Sequence, residues 1–142
     1  LAALILFTFP GAPTVYYGDE AAMEGWEDPF NRAGYPWAQE DTDLKAHFAE
    51  LARFRRSFPA LQVGVLHWIW TSGPLLIFAR ELDGQLLTTV VNAADVSQAL
   101  SLPWSAPPAR DLLTGQRFIP TDNAISLTLP PRSGLLLQTN LP

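Results

Sequence analysis

The chain has no cysteine, one methionine and two histidines in 142 residues. Without cysteine there is neither a disulfide framework nor a thiolate zinc site, so burial alone must hold the fold. The compartment stays open, with the cytoplasm the better fit. His47 and His67 each lack a second ligand at metal spacing and are read as packing or surface residues, so no metal site is expected. No glycine-rich phosphate loop and no Gly-x-Ser-x-Gly elbow occur, and no cofactor is expected. Basic residues are also few: nine Lys and Arg against fourteen Asp and Glu leave a net charge of −5. That balance argues against nucleic acid as a partner. The one basic cluster, Arg53, Arg55 and Arg56, is expected at a helix end, opposing the dipole and facing solvent. Leu1 to Phe9 is almost wholly apolar but far shorter than the about 20 residues of a membrane span, so it is read as core and no membrane partner is expected. The chain opens in the middle of that run without methionine, as if cut from a longer polypeptide.

What is present is punctuation. Thirteen prolines and nine glycines in a chain that is 48% hydrophobic point to short segments around a real core, with β structure dominating after residue 59. Leu1 to Phe9 reads as a helix stopped by Pro10 and Gly11. Thr14 to Tyr17 is β-branched and aromatic, reads as a strand covered on both faces, and Gly18 ends it where carboxylates begin. Residues 18 to 40 form a long polar loop rich in aromatics. From Asp41 or Thr42, Leu44, Phe48, Leu51, Phe54 and Phe58 recur at three- and four-residue steps, the stripe of an amphipathic helix that Pro59 stops. Strands follow near 64–70, 74–81, 85–92, 97–102, 109–113, 116–119, 124–129 and 133–139, several separated by the turns Ser72-Gly73-Pro74, Asp83-Gly84 and Thr114-Gly115. Leu75 to Phe78 is continuously apolar and should be central; Ile125, Leu127 and Leu129 alternate with polar residues, as in a strand with one wet face. Eight such strands predict an antiparallel sandwich.

The loop holds the candidate chemistry. Asp19 and Glu20 follow a strand, where general acids and bases often sit, but neighbours on extended backbone point apart. A pair cleaving a glycosidic bond must flank it, so the favoured reading is that one carboxylate caps the loop or pairs with a cation. Asp28 and Arg32, four apart around Pro29, fit a bidentate pair that either presents hydrogen-bonding edges to sugar hydroxyls or stiffens the loop. Trp26 is left open as a sugar-stacking residue; Trp37 is read as packing under the following helix. Trp68, Trp70 and Trp104 are read as sandwich core, although an exposed pair would make a sugar-binding strip.

The string Pro10-Gly11-Ala12-Pro13-Thr14-Val15-Tyr16-Tyr17-Gly18-Asp19-Glu20, with Met23-Glu24-Gly25, Asp28-Pro29-Phe30-Asn31-Arg32 and Pro36-Trp37, resembles the end of the catalytic barrel in the α-amylase family of glycoside hydrolases. The cyclomaltodextrinase, neopullulanase and maltogenic amylase branch looks nearest. Leu51 to Leu61 is similar to the last barrel helix, and Val90-Val91-Asn92, Asp111 to Gly115 and Leu129 to Gly134 to the C-terminal sandwich. The resemblance implies an α+β fragment: the last βα unit of a TIM (β/α)8 barrel, residues 1–60, followed by an all-β antiparallel sandwich, residues 61–142. On that reading Leu1 to Phe9 ends the seventh barrel helix, Thr14 to Gly18 is the eighth strand and Asp41 to Phe58 the eighth helix.

The family's three catalytic carboxylates come from earlier strands, so no catalytic residue is assigned here, and an Asn-His-Asp-like motif is expected upstream. Asp28 and Arg32 match the pair that contacts sugar, and substrate binding is assigned to Asp28, Arg32 and Trp26. Ala33, where the branch commonly has a second arginine, and Trp26, where it has small or polar residues, leave substrate preference open. The implied parent is a retaining hydrolase or transglycosylase of maltodextrins or cyclodextrins, with an α-glucan oligosaccharide as partner and an inert fragment. Two other hypotheses stand beside it: a noncatalytic carbohydrate-binding or interaction module, and a sucrose- or trehalose-converting sibling. A barrel strand without its neighbours exposes apolar surface, so self-association through residues 1–20 is also expected.

Overall fold

Ala2–Thr8 winds into helix α1 before Pro10 and Gly11 stop it, as expected. Seven residues do not hold a helix alone. This one persists because Ala3, Leu4 and Phe7 are buried. The computed structural model describes residues 1–140. Helix α2, Thr42–Ser57, begins at Asp41, whose carboxylate accepts the Leu44 N–H at 2.9 Å. Leu51 is buried on its stripe, with Leu44, Phe48, Phe54 and Phe58 half-buried. Pro59 ends α2 but also opens a third helix, α3, Pro59–Val63. Reading proline only as a stop misses this helix; at the first helical position its missing N–H costs nothing.

Eight strands follow, each overlapping its expected segment: β1 Val65–Ser72, β2 Leu75–Leu82, β3 Gln85–Asn92, β4 Gln98–Pro103, β5 Ala109–Asp111, β6 Arg117–Phe118, β7 Ala124–Leu129 and β8 Ser133–Asn140. They pair antiparallel into a six-stranded sheet ordered β1-β2-β3-β8-β5-β6 and a two-stranded sheet, β4-β7. Asp83 and Gly84 join β2 to β3 with both φ positive, 47° and 77°, which matches a tight hairpin turn to the strand twist.

The alternation of the strands sorts their side chains into two cores. Ile77, Val90 and Leu137 of the large sheet meet Leu102, Ile125, Leu127 and Leu129 of the small one. On the other face Leu87, Val91 and Leu136 meet Ala3, Leu4, Phe7, Leu51, Ala60 and Leu61 of the helices. The central strands are therefore covered on both sides, as the continuous run in β2 predicts. Each large side chain fully buried here contributes about 1.5–3 kcal/mol. Gly134 on β8 lies close under α1: a Cβ there would lie 2.6 Å from Leu4 Cδ2 and 3.1 Å from the Val90 carbonyl oxygen.

Buried polar groups tie the layers. Asn92, fully buried, donates through Nδ2 to the carbonyls of Val96 and Pro130 at 3.0 and 2.8 Å and accepts the Ala94 N–H at 2.9 Å. Asp111, also fully buried, accepts the N–H groups of Leu136 and Thr114 at 2.9 and 3.0 Å and the Thr114 hydroxyl at 2.6 Å. Two of the three strings that resemble the sandwich of the amylase family thus supply crosslinks.

Four expectations need correction. Thr14 to Tyr17 carries no strand ladder, and Tyr17 lies in a turn, because β-forming residues become a strand only with a partner beside them and no described segment supplies one. Arg55 does not face solvent: it is 8% exposed, and its guanidinium donates to the carbonyls of Phe7 at 2.8 Å, Phe9 at 3.0 Å and Gly11. Of the tryptophans only Trp104 is core, its indole N–H donating to the Pro107 carbonyl at 2.8 Å. Trp68 and Trp70 are 55% and 52% exposed on the edge strand β1. They do not form a strip either, because the register slips between them: Trp68 faces Phe78 and Trp70 faces Ile77, neighbours that point to opposite faces of β2. The bulge at Ile69 turns the two indoles apart.

Candidate functional site

The polar loop is built on Gly18, which has φ +93° and lies so close to Met23 that a Cβ would meet its Sδ at 2.3 Å. Only glycine fits there. A 3-10 turn, Asp19–Ala21, follows it. The Glu20 carboxylate accepts the Gly18 N–H at 3.1 Å, the capping reading made from sequence. At the base of the loop the Asp41 N–H donates to the Ala21 carbonyl at 3.3 Å, and across it the Tyr17 hydroxyl donates to the Ala33 carbonyl at 3.0 Å. Two successive turns, Phe30 N–H to the Glu27 carbonyl at 2.9 Å and Arg32 N–H to the Pro29 carbonyl at 3.1 Å, shape its tip.

That tip joins Asp28 and Arg32 side by side. Arg32 Nε lies 2.9 Å from Asp28 Oδ1, and Nη2 donates to Oδ2 at 3.3 Å, a bidentate pair whose side chains are 73% and 60% exposed. A pair so open to water contributes about 0–1 kcal/mol to stability, and the loop already has backbone bonds of its own. Its value as a brace is small; its free edges point to solvent. Trp26, on the same tip, is 80% exposed. Beside them lies a cavity of about 140 Å³ lined by Tyr16, Tyr17, Asp19, Met23, Phe30 and Asn31, among others. Trp26, Asp28 and Arg32 are outside its lining, so the loop pairs Asp28 with Arg32 on its surface and leaves Trp26 exposed nearby in the chain.

Trp37 departs from expectation. It does not pack under α2: it is 77% exposed, and its ring leans on Tyr35 with centroids 4.7 Å apart and planes at 52°. Sequence reasoning missed Tyr35 altogether, though the triplet Tyr35-Pro36-Trp37 in a polar loop was the available signal. Close by, Lys45 Nζ lies 3.2 Å from Glu40 Oε1. The Glu40 carboxyl is held below its ordinary range by a hydrogen bond from its own backbone and then by Lys45, whose ammonium is raised in turn by Glu40. The histidines stay out of the site: His47 is half-buried on α2, and His67 Nε2 sits 3.1 Å from Glu81 Oε2 on the sheet. Among the described residues no cluster of three or more His, Asp or Glu is arranged to hold a metal ion.

Residues 72–135 match the family model described as Maltogenic Amylase, C-terminal domain. An amylopullulanase of Thermoanaerobacter thermohydrosulfuricus is 39% identical over 96% of this chain and 10% of its own length. Neopullulanase 2 of Thermoactinomyces vulgaris is 32% identical over 96% of this chain and 25% of its own. The solved structure of a Nostoc punctiforme debranching enzyme soaked with acarbose superposes with a TM-score of 0.75 at 31% identity, covering 97% of this chain and 28% of that one. The chain thus spans only a tenth to a quarter of the curated relatives' length.

Proposed function

This chain belongs to the maltogenic amylase C-terminal domain family, within the α-amylase group of glycoside hydrolases, and on that premise we propose that it is the sugar-contacting end of an α-glucan-degrading enzyme. The parent cleaves or transfers α-glucosidic bonds of maltodextrins or cyclodextrins with retention, through a covalent glycosyl-enzyme intermediate. Residues 1–60 are the end of its (β/α)8 barrel and residues 61–142 its C-terminal sandwich. The β-forming composition of Thr14 to Tyr17 without a ladder is compatible with this division, since a barrel strand parted from its neighbours loses its partners.

The observation that carries the reading is the solvent-facing, bidentate Asp28–Arg32 pair, with the exposed Trp26 two residues before it in the loop. Its two bonds hold a guanidinium and a carboxylate in one plane, leaving Arg32 Nη1 as donor and the outer carboxylate lone pairs as acceptors. Vicinal sugar hydroxyls, each both donor and acceptor, match that edge, and an exposed indole in the same loop suits stacking on the apolar C–H face of a pyranose. A retaining mechanism also needs two carboxyls about 5–5.5 Å apart across the scissile bond. Glu20 is occupied by the Gly18 N–H, and the chain by itself carries out no turnover.

Calorimetric titration with maltoheptaose tests this. Arg32→Gln and Asp28→Asn should each weaken binding about tenfold, equivalent to about 1.4 kcal/mol, while the unaltered chain releases no reducing sugar. Unchanged affinity in both variants sinks the assignment, and turnover by the chain sinks the claim that it lacks the catalytic carboxylates.

A further inference from the structure

The inclined pair Tyr35 and Trp37 is used by nothing above. We infer that the two rings form a second α-glucan contact on this chain, a shelf shaped for a curved α-1,4-linked chain and not for a flat β-linked one. The inference rests on the α-glucan reading but on different residues from those that carry it.

Three observations converge. First, Trp37 leaves 77% of its surface in water although its backbone is hydrogen-bonded within the loop. The electron-rich ring face attracts the slightly positive axial C–H face of a pyranose, and covering it removes apolar area from water. Second, the rings meet at 52° with centroids 4.7 Å apart, which makes a shallow trough. Successive residues of an α-1,4-glucan turn steadily, so neighbouring sugars present faces at an angle; a cellulose-type ribbon presents coplanar faces and fits a flat platform. Third, the shelf has a polar rim. Lys45 Nζ lies over the Tyr35 ring, 6.0 Å from its centroid, and 3.2 Å from Glu40 Oε1, so an ammonium and a carboxylate adjoin the ring pair and are available to the hydroxyls of a bound sugar.

The backbone beneath is fixed before any ligand arrives. The Trp37 N–H donates to the Tyr35 carbonyl and the Gln39 N–H to the Pro36 carbonyl, both at 2.9 Å. Pro36 between the rings restricts the chain further. A preorganised shelf loses little freedom on binding, which favours affinity.

The test uses the whole chain and two probes, maltoheptaose and cellohexaose, followed by indole N–H resonances and calorimetry. The Trp37 indole signal should move on adding maltoheptaose and stay in place with cellohexaose. Trp37→Ala should weaken the maltoheptaose contact about tenfold, with Trp37→Phe recovering most of it, whereas Arg32→Gln should leave the Trp37 shift intact. A Trp37 signal that ignores maltoheptaose, an affinity unaltered by Trp37→Ala, or equal response to cellohexaose overturns the inference. Affinity unaltered by Arg32→Gln and Asp28→Asn, with the Trp37 shift preserved, would count against the Asp28–Arg32 assignment alone, so the two failures are distinguishable.

Discussion

Arg55 and Arg80 reach the same helix end from different elements: Arg55 Nη1 on α2 donates to the Phe7 and Phe9 carbonyls at 2.8 and 3.0 Å, and Arg80 Nη1 on β2 to the Thr8 carbonyl at 3.0 Å. Arg80, 1% exposed, also donates to the carbonyls of Leu61 and Gly64, each at 2.9 Å. Among the described residues neither guanidinium has a carboxylate within ion-pair distance. Their charge is met by carbonyl dipoles, several of them at helix C-termini, where the macrodipole is negative. Burial lowers the pKa of both, and for Arg80 the charge of Arg55 adds to it. The polar loop leaves from the segment they hold, so the sheet and that loop are joined through two side chains.

Arg80→Met should therefore be severe. It strands the Thr8, Leu61 and Gly64 carbonyls in a dry layer, at about 1–3 kcal/mol for each group left unsatisfied. Urea unfolding should show a loss of at least about 3 kcal/mol, with Arg80→Lys recovering only part of it because an ammonium cannot span all three carbonyls. A loss below about 1 kcal/mol for the methionine variant would contradict this account of the joint.

The α1 contact on β8 is open to a double-mutant cycle. Gly134→Ala forces a Cβ against Leu4 Cδ2 and should cost about 1–3 kcal/mol. Leu4→Ala alone costs about 2–5 kcal/mol. If the two side chains meet as described, the double variant loses less than the sum, with an interaction energy of about 0.5–3 kcal/mol; additivity would place α1 elsewhere.

Thr89 offers a gain. Its hydroxyl is fully buried with no hydrogen-bond partner, as is that of Thr88. Valine has nearly the same shape without the orphaned oxygen, so Thr89→Val should stabilise the chain by about 1 kcal/mol. A lower melting temperature for this variant would mean that the hydroxyl is satisfied after all.

His47 gives a pH dependence. Burial is the main cause holding its pKa below the ordinary 6.5. The unfolded chain then binds the proton more readily, so stability rises with pH through the window just below 6.5 and is lower on its acid side. His47→Gln should flatten that part of the stability profile while leaving the rest in place; a profile identical in shape to that of the unaltered chain would remove His47 as its source.

Local chemistry made much of this molecule readable. The eight strands stand where two-residue alternation and Gly-containing turns put them, and α2 starts at Asp41 because a carboxylate there satisfies an N–H that any helix start leaves free. The Asp28–Arg32 pair follows from four-residue spacing around a turn. The errors have another origin. Trp68 and Trp70 are two apart and would share a face in a regular strand; a one-residue register slip against β2 separates them, and nothing in β1 alone announces it. Arg55 looks like any basic residue in a last helical turn until carbonyls 44 to 48 residues earlier are brought beside it. Sequence proximity to α2 suggests packing for Trp37, and only the path of the loop turns it outward onto Tyr35.

The sequence by itself determined the order and type of nearly every element and the short-range site pair, because caps, turns and alternation act within a few residues. The tertiary structure decided what those elements touch: which face each indole sees, which arginine is buried, and that α1 lies on the sheet at Gly134. Such outcomes depend on partners dozens of residues away, whose positions are set by burying two apolar layers at once and not by any local preference.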